Sequence, residues 1–207
     1  MIAQDTRFWD RIAPKYARQP IADEAAYLKK LEKTREFLRP DMQVLEFGCG
    51  TGGTAVAHAP FVRHVHAVDL SGQMLAIAEE KAKDAGVQNV SFEQVSVEEF
   101  IGWDDSYDAV LGLSLLHLLE DPDAALAKVH RILKPGGIFV SSTACLSDGL
   151  SWLKPVLGVG RWLGKVPHVT FLSQSGLECR VERAGFELLY SWRPGPKKAV
   201  FLIARKL

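Results

Sequence analysis

The residues best placed to do chemistry lie in one short run, Val44-Leu45-Glu46-Phe47-Gly48-Cys49-Gly50-Thr51-Gly52-Gly53-Thr54. An apolar strand turns on a cluster of glycines and enters a helix of small residues, Thr54-Ala55-Val56-Ala57. Glycines there permit positive φ and let the backbone approach a ligand closely. The amides at the start of the next helix would face whatever sits above the strand end. Such a turn is a cofactor loop.

Gly48, Gly50 and Gly53 satisfy G-x-G-x-x-G, and Asp69 follows at the spacing at which a dinucleotide-binding unit places its ribose acid. Glu46 speaks for a different nucleoside, since its charge at the mouth of the site opposes a pyrophosphate and suits an ammonium. There is no Gly-Lys-Ser/Thr, which excludes a triphosphate P-loop. A second candidate is His117 in Leu115-Leu116-His117-Leu118-Leu119, whose imidazole could act as a base near neutral pH.

These residues must be positioned by alternating strands and helices. The pattern predicts strands over 64–69, 90–95, 107–114 and 138–143, with a helix from about Gly72 to Ala85 closed by Gly86. Asp121-Pro122 reads as a cap and first helical residue. Residues 1–22 predict a short helix leading into a loop, and 23–39 a helix with no chemistry. Ser175-Gly176-Leu177-Glu178 fits a capping box. Phe186–Trp192 and Ala199–Ala204 predict two closing strands about Pro194-Gly195-Pro196.

Composition bounds the function. The chain has 207 residues, 47% hydrophobic, with 25 acidic residues against 25 Lys plus Arg. That is enough for one domain over 1–207, and zero net charge argues against nucleic acid. Cys49, Cys145 and Cys179 are odd in number and widely spaced, so neither a disulfide framework nor a zinc site follows. His64 and His66 share a strand face but lack a third ligand, so no metal is expected. Asp5, Arg7, Asp10 and Arg11 leave no secretory apolar region at the start, and a cytoplasmic setting is expected.

The run from Leu45 to Gly52 resembles motif I of the class I S-adenosylmethionine-dependent methyltransferases. Leu133-Lys134-Pro135-Gly136-Gly137 resembles a turn widespread in the same family, and the resemblance spans about residues 41–205. It implies an α/β, Rossmann-like three-layer sandwich: a seven-stranded, mostly parallel sheet in order 3-2-1-4-5-7-6 with strand 7 antiparallel. It also implies S-adenosyl-L-methionine as cofactor, with S-adenosyl-L-homocysteine as product. The implied cofactor contacts are Tyr16 in the leader (Lys15 less so), then Glu46, Gly48, Cys49 and Gly50. Asp69 would hold the ribose, beside Leu70 and Met74, with Leu113 at the end of strand 4. Where relatives carry Gly-Asp-Ala after strand 3, this chain reads Val95-Ser96-Val97-Glu98, leaving Ser96 and the Val97 amide for the adenine. His117 falls in the region facing the methyl group.

The implied reaction is in-line transfer of a methyl group to a small-molecule acceptor of apolar or lipid-like character, by a monomer or homodimer. Alternatives are a non-catalytic S-adenosylmethionine-binding protein and a nicotinamide oxidoreductase. Residues 1–40 form a leader. The insert at 145–172 is apolar with scattered positive charge, and is open to three readings: a substrate cap, an oligomer contact or an interfacial membrane segment.

Overall fold

A computed structural model describes residues 2–207. The chain runs α1 (Ile2–Ala17), α2 (Glu24–Arg35), β1 (Gln43–Phe47), α3 (Gly53–His58), β2 (His64–Asp69), α4 (Gly72–Asp84), β3 (Val90–Gln94), β4 (Tyr107–Leu113), α5 (Pro122–Ile132), β5 (Leu133–Thr143), α6 (Lys154–Trp162), α7 (Gln174–Arg183), β6 (Phe186–Trp192) and β7 (Val200–Lys206). The seven strands form one sheet in the order β3-β2-β1-β4-β5-β7-β6. Neighbours from β3 to β5 pair in parallel, whereas β7 runs antiparallel to both β5 and β6. This is the expected Rossmann-like arrangement.

Strand alternation builds two cores. Leu45 and Phe47 of β1, Val110 of β4, Phe139 of β5 and Leu202 of β7 face Leu126 and Val129 of α5 and Leu177 and Val181 of α7. Val44, Leu111, Val140 and Ile203 turn to the other side, against Ala55 of α3, Leu75 of α4 and Phe37 and Leu38 after α2. The strands at the middle of the sheet are covered on both faces, so they read as continuous apolar runs. Glu46 is the exception that carries a buried carboxyl. Its carboxylate is 2% exposed on the face it shares with Val44.

Several boundaries differ from expectation for local reasons. The leader is a single helix that continues past Pro14, which costs it one backbone hydrogen bond. Helix α7 starts earlier than the Ser175 box would place it: Ser173 is the cap, its hydroxyl accepting from the Gly176 amide. The Leu133–Gly137 turn is drawn into β5, with a register shift between Tyr107 and Ala109 on the neighbouring strand. The other caps are as read, Asp121 accepting from Ala124 and Ser71 from Met74.

Gly52 shows why the loop needs glycine. Its φ is +70°, and a Cβ there would meet the Ala78 Cβ of α4 at 2.7 Å. Both atoms belong to the packed scaffold, so neither can swing away. Gly52→Ala is expected to cost roughly 2–4 kcal/mol from backbone strain and overpacking together. A shift in the urea midpoint at unchanged slope would measure it.

Candidate functional site

The carboxyl ends of β1, β2 and β4 meet at two adjoining cavities. The first, about 530 Å³, is lined by Asp69, Leu70, Met74, Ser96, Val97 and by α1 residues including Trp9. The second, about 700 Å³, lies toward α2 and is lined by Glu46, Cys49, Tyr27, Lys30, Thr34 and Ser142 among others. Tyr16, Gly48, Gly50, Leu113 and Ser114 border both. The glycine loop is therefore the wall between them.

Each side chain here has a local cause. The Gly50 amide donates to Asp69 Oδ2 at 2.8 Å and the Ser71 amide to Oδ1 at 2.9 Å, so this acid ties the loop after β1 to the loop after β2. A carboxylate offers about four acceptor positions, so two amides leave room for a pair of hydroxyls. Burial is the main influence on Asp69 and pushes its pKa up, against the pull of these amides. Asp10 of α1 accepts from the Ser71 hydroxyl at 2.6 Å and the Gln73 amide at 3.2 Å, docking the leader on the first turn of α4. An acid is favourable at that end of a helix.

The loop after β3 is held from below. Lys128 of α5 donates its ammonium to the carbonyls of Val97, Glu98 and Phe100 at 2.7, 2.8 and 2.9 Å. Ser96 closes the same turn, its hydroxyl donating to Glu99 Oε2 and accepting from the Glu99 amide. Ser114 adopts φ +59° where β4 ends, and its amide donates to the Ser142 carbonyl at 2.7 Å. A non-glycine residue in that region is held there by its surroundings.

Glu46 is the electrostatic centre. It is fully buried, Oε2 has no hydrogen-bond partner among the described residues, and burial, with a lesser push from Asp69, raises its pKa to about 8. An orphaned buried carboxylate is costly unless something positive completes it. A ligand ammonium in the second cavity would do so. Asp69, the Val97 amide and Glu46 therefore stand along the two cavities as a hydroxyl acceptor, an amide donor and a buried carboxyl, while the Ser96 hydroxyl is engaged by Glu99.

Every expected cofactor contact except Lys15 lines one cavity or both. Lys15 is exposed and lines neither. His117 lies in the loop after β4, as expected. Its ring borders neither cavity; Nδ1 faces the Ala144 amide at 3.4 Å, and burial lowers its pKa to about 4. It links the loop after β4 to the end of β5. His64 and His66 are likewise spoken for, by Ser91 and by Tyr107 and Glu93, and no metal cluster exists among the described residues.

Sequence reasoning missed α2 as a wall of the site. Tyr27, Lys30 and Thr34 line the second cavity, and Lys30 donates to the Ser142 hydroxyl at 2.8 Å. The i, i+3, i+7 spacing was the available signal, hidden because Lys29 and Lys33 make the helix look solvated.

Residues 44–137 match the family model described as a methyltransferase domain. Over those residues the chain carries a methyltransferase domain. It is 34% identical over 128 residues to an uncharacterized methyltransferase, YcgJ, of Bacillus subtilis, covering 62% of this chain and 50% of that one. The crystal structure of YcgJ superposes with a TM-score of 0.72 at 21% identity, over 86% of this chain and 98% of that one. The ubiquinone/menaquinone biosynthesis C-methyltransferase UbiE of Vibrio vulnificus is 36% identical over 103 residues, or 48% and 40% of the two chains. The [4+2]-cyclase SpnF shares the fold with a TM-score of 0.73 at 22% identity, over 92% of this chain and 83% of that one. The chain spans half or less of the length of these curated relatives.

Proposed function

We propose that the protein transfers a methyl group from S-adenosylmethionine to a small-molecule acceptor of apolar or lipid-like character, in a cytoplasmic setting. The observation that carries this is the orphaned Glu46 carboxylate facing a cavity one glycine loop away from Asp69. Bound there, the cofactor supplies a methyl group already activated on a sulfonium. The protein's task is then to bind, orient and keep water out. Asp69 holds hydroxyls, the Ser96–Val97 turn holds a flat polar edge, and Glu46 holds an ammonium. Trp9 and Tyr16 of the leader cover the cavity from outside. Holding reactants in line supplies about 7–11 kcal/mol, against about 3–5 kcal/mol for a general base. Positioning is the larger effect, and no side chain is assigned as base.

His117→Ala is accordingly expected to keep turnover within a few-fold of wild type while lowering stability by about 1–3 kcal/mol as buried contacts are lost. Paired rate and melting measurements check both halves. A loss of turnover of a hundredfold or more with cofactor affinity intact would restore the histidine as the base.

The apolar side of the acceptor assignment is supported by Leu115, Leu118 and Leu119 along the first cavity and by the likeness to quinone C-methyltransferases. One second reading is binding of the cofactor without methyl transfer, since a fold shared with a [4+2]-cyclase does not by itself imply transfer. Incubation with methyl-labelled S-adenosylmethionine and quinol, phenol and lipid acceptors separates the two. Label in the organic phase with matching S-adenosylhomocysteine supports transfer. Tight cofactor binding with no S-adenosylhomocysteine formed supports the second reading.

A further inference from the structure

Helix α6 and the turn before it present an uncovered apolar stripe. Trp152, Val156, Val159 and Leu163 recur at helical spacing and are 67, 58, 58 and 51% exposed, and Trp162 beside them is 82% exposed. Between Asp148 and Glu178 the chain holds no acidic residue but carries Lys154, Arg161 and Lys165. Helix α1 lies alongside: Gln4 donates to the Arg161 carbonyl at 2.9 Å, Arg11 to the Gly164 carbonyl at 3.0 Å, and Asp5 pairs with Arg161. On that helix Arg7, Arg11 and Lys15, followed by Arg18, form an exposed cationic row. None of the four pairs with a carboxylate among the described residues. The apolar stripe and the cationic row thus lie on two segments joined at the C-terminal end of α6.

We infer that the outer surface of the α1–α6 pair docks on an anionic lipid bilayer. Tryptophan suits the boundary between headgroup and acyl chain, and cations beside an apolar stripe are what an anionic headgroup layer attracts. No helix among the described residues is long and apolar enough to cross a membrane, so the contact is peripheral. The inner side of the same pair, through Ile2, Asp5, Trp9 and Pro167, lines the first cavity. The lid over the site and the lipid-facing surface are one structure. This inference stands apart from the acceptor chemistry because partition, not turnover, reads it out.

The full chain is sedimented with phosphatidylcholine vesicles, with and without phosphatidylglycerol, while tryptophan emission is recorded. Binding to the anionic vesicles alone is expected, with a blue shift and weakening as salt is raised. Arg7→Gln/Lys15→Gln/Arg18→Gln should lower the partition coefficient about a hundredfold, at about fivefold per cation. Trp152→Ala/Trp162→Ala should lower it tenfold or more and abolish the shift. All these positions are exposed, so folding is not at stake. Three outcomes overturn the inference: no binding to anionic vesicles, equal binding to both, or a dimer by light scattering that Trp162→Glu dissociates. The last would mean a second copy covers the stripe.

Discussion

Asp69→Ala is expected to weaken S-adenosylmethionine and S-adenosylhomocysteine binding by roughly 10²–10⁴-fold. The carboxylate sits where two hydroxyls can share its remaining acceptor positions, and a hydrogen bond to a charged group contributes about 1.5–3 kcal/mol. Two such bonds amount to about 3–6 kcal/mol, at about 1.4 kcal/mol per tenfold in affinity. The substitution also strips the Gly50 and Ser71 amides of their acceptor, loosening the loop that divides the cavities. Asp69→Asn keeps one acceptor oxygen and should fall between. Calorimetric titration of both variants measures this, and a change under fivefold for Asp69→Ala would remove Asp69 from the nucleoside site.

Glu46→Gln has the second large effect, and its sign differs between the free and bound protein. Burial raises the Glu46 pKa from 4.5 to about 8. Between those values the native state holds a proton that the unfolded state has released, so stability falls as pH rises across the window, by about 1.4 kcal/mol per pH unit at most. Above pH 8 this loss is complete. Glu46→Gln removes it, so the variant should be the more stable protein at pH 8 without ligand. An ammonium ligand needs the ionised carboxylate, so wild-type affinity should rise up to tenfold per pH unit from pH 6 to 8. It should turn down above that, as an α-amino group loses its own charge. The variant should bind more weakly at pH 8 and show no rise. Titrations in buffers of different ionisation enthalpy would detect the proton released from the wild type alone.

The strands and the tight glycine loop were legible in the sequence because each rests on a local pattern, whereas the sheet order was implied by the family resemblance. Apolar runs mark the strands, glycines the tight loop, and Asp69 stands at a strand end where parallel topology gathers ligands. The Asp121-Pro122 and Ser71 caps were legible for the same reason. What was not legible depends on contacts distant in sequence. Lys30 reaches Ser142 from a helix that looks solvated, and Asp10 caps α4 from the leader. His117 was legible as a titratable residue after β4, but its surroundings were not: Nδ1 faces the Ala144 amide and its carbonyl accepts from the Thr170 amide. Glu46 was legible as an anion near the loop, but its burial, and so its proton, only emerges once α2 and α3 are folded over it.

The most direct test of the central assignment is isothermal titration of the full chain with S-adenosylmethionine, S-adenosylhomocysteine and NADH at pH 8. The predicted result is one-to-one binding of the first two and no heat with NADH, because a carboxylate at the mouth of the glycine loop receives an ammonium and repels a pyrophosphate. Binding of NADH alone would contradict it, and Glu46 would then face an anion rather than the cation its burial calls for.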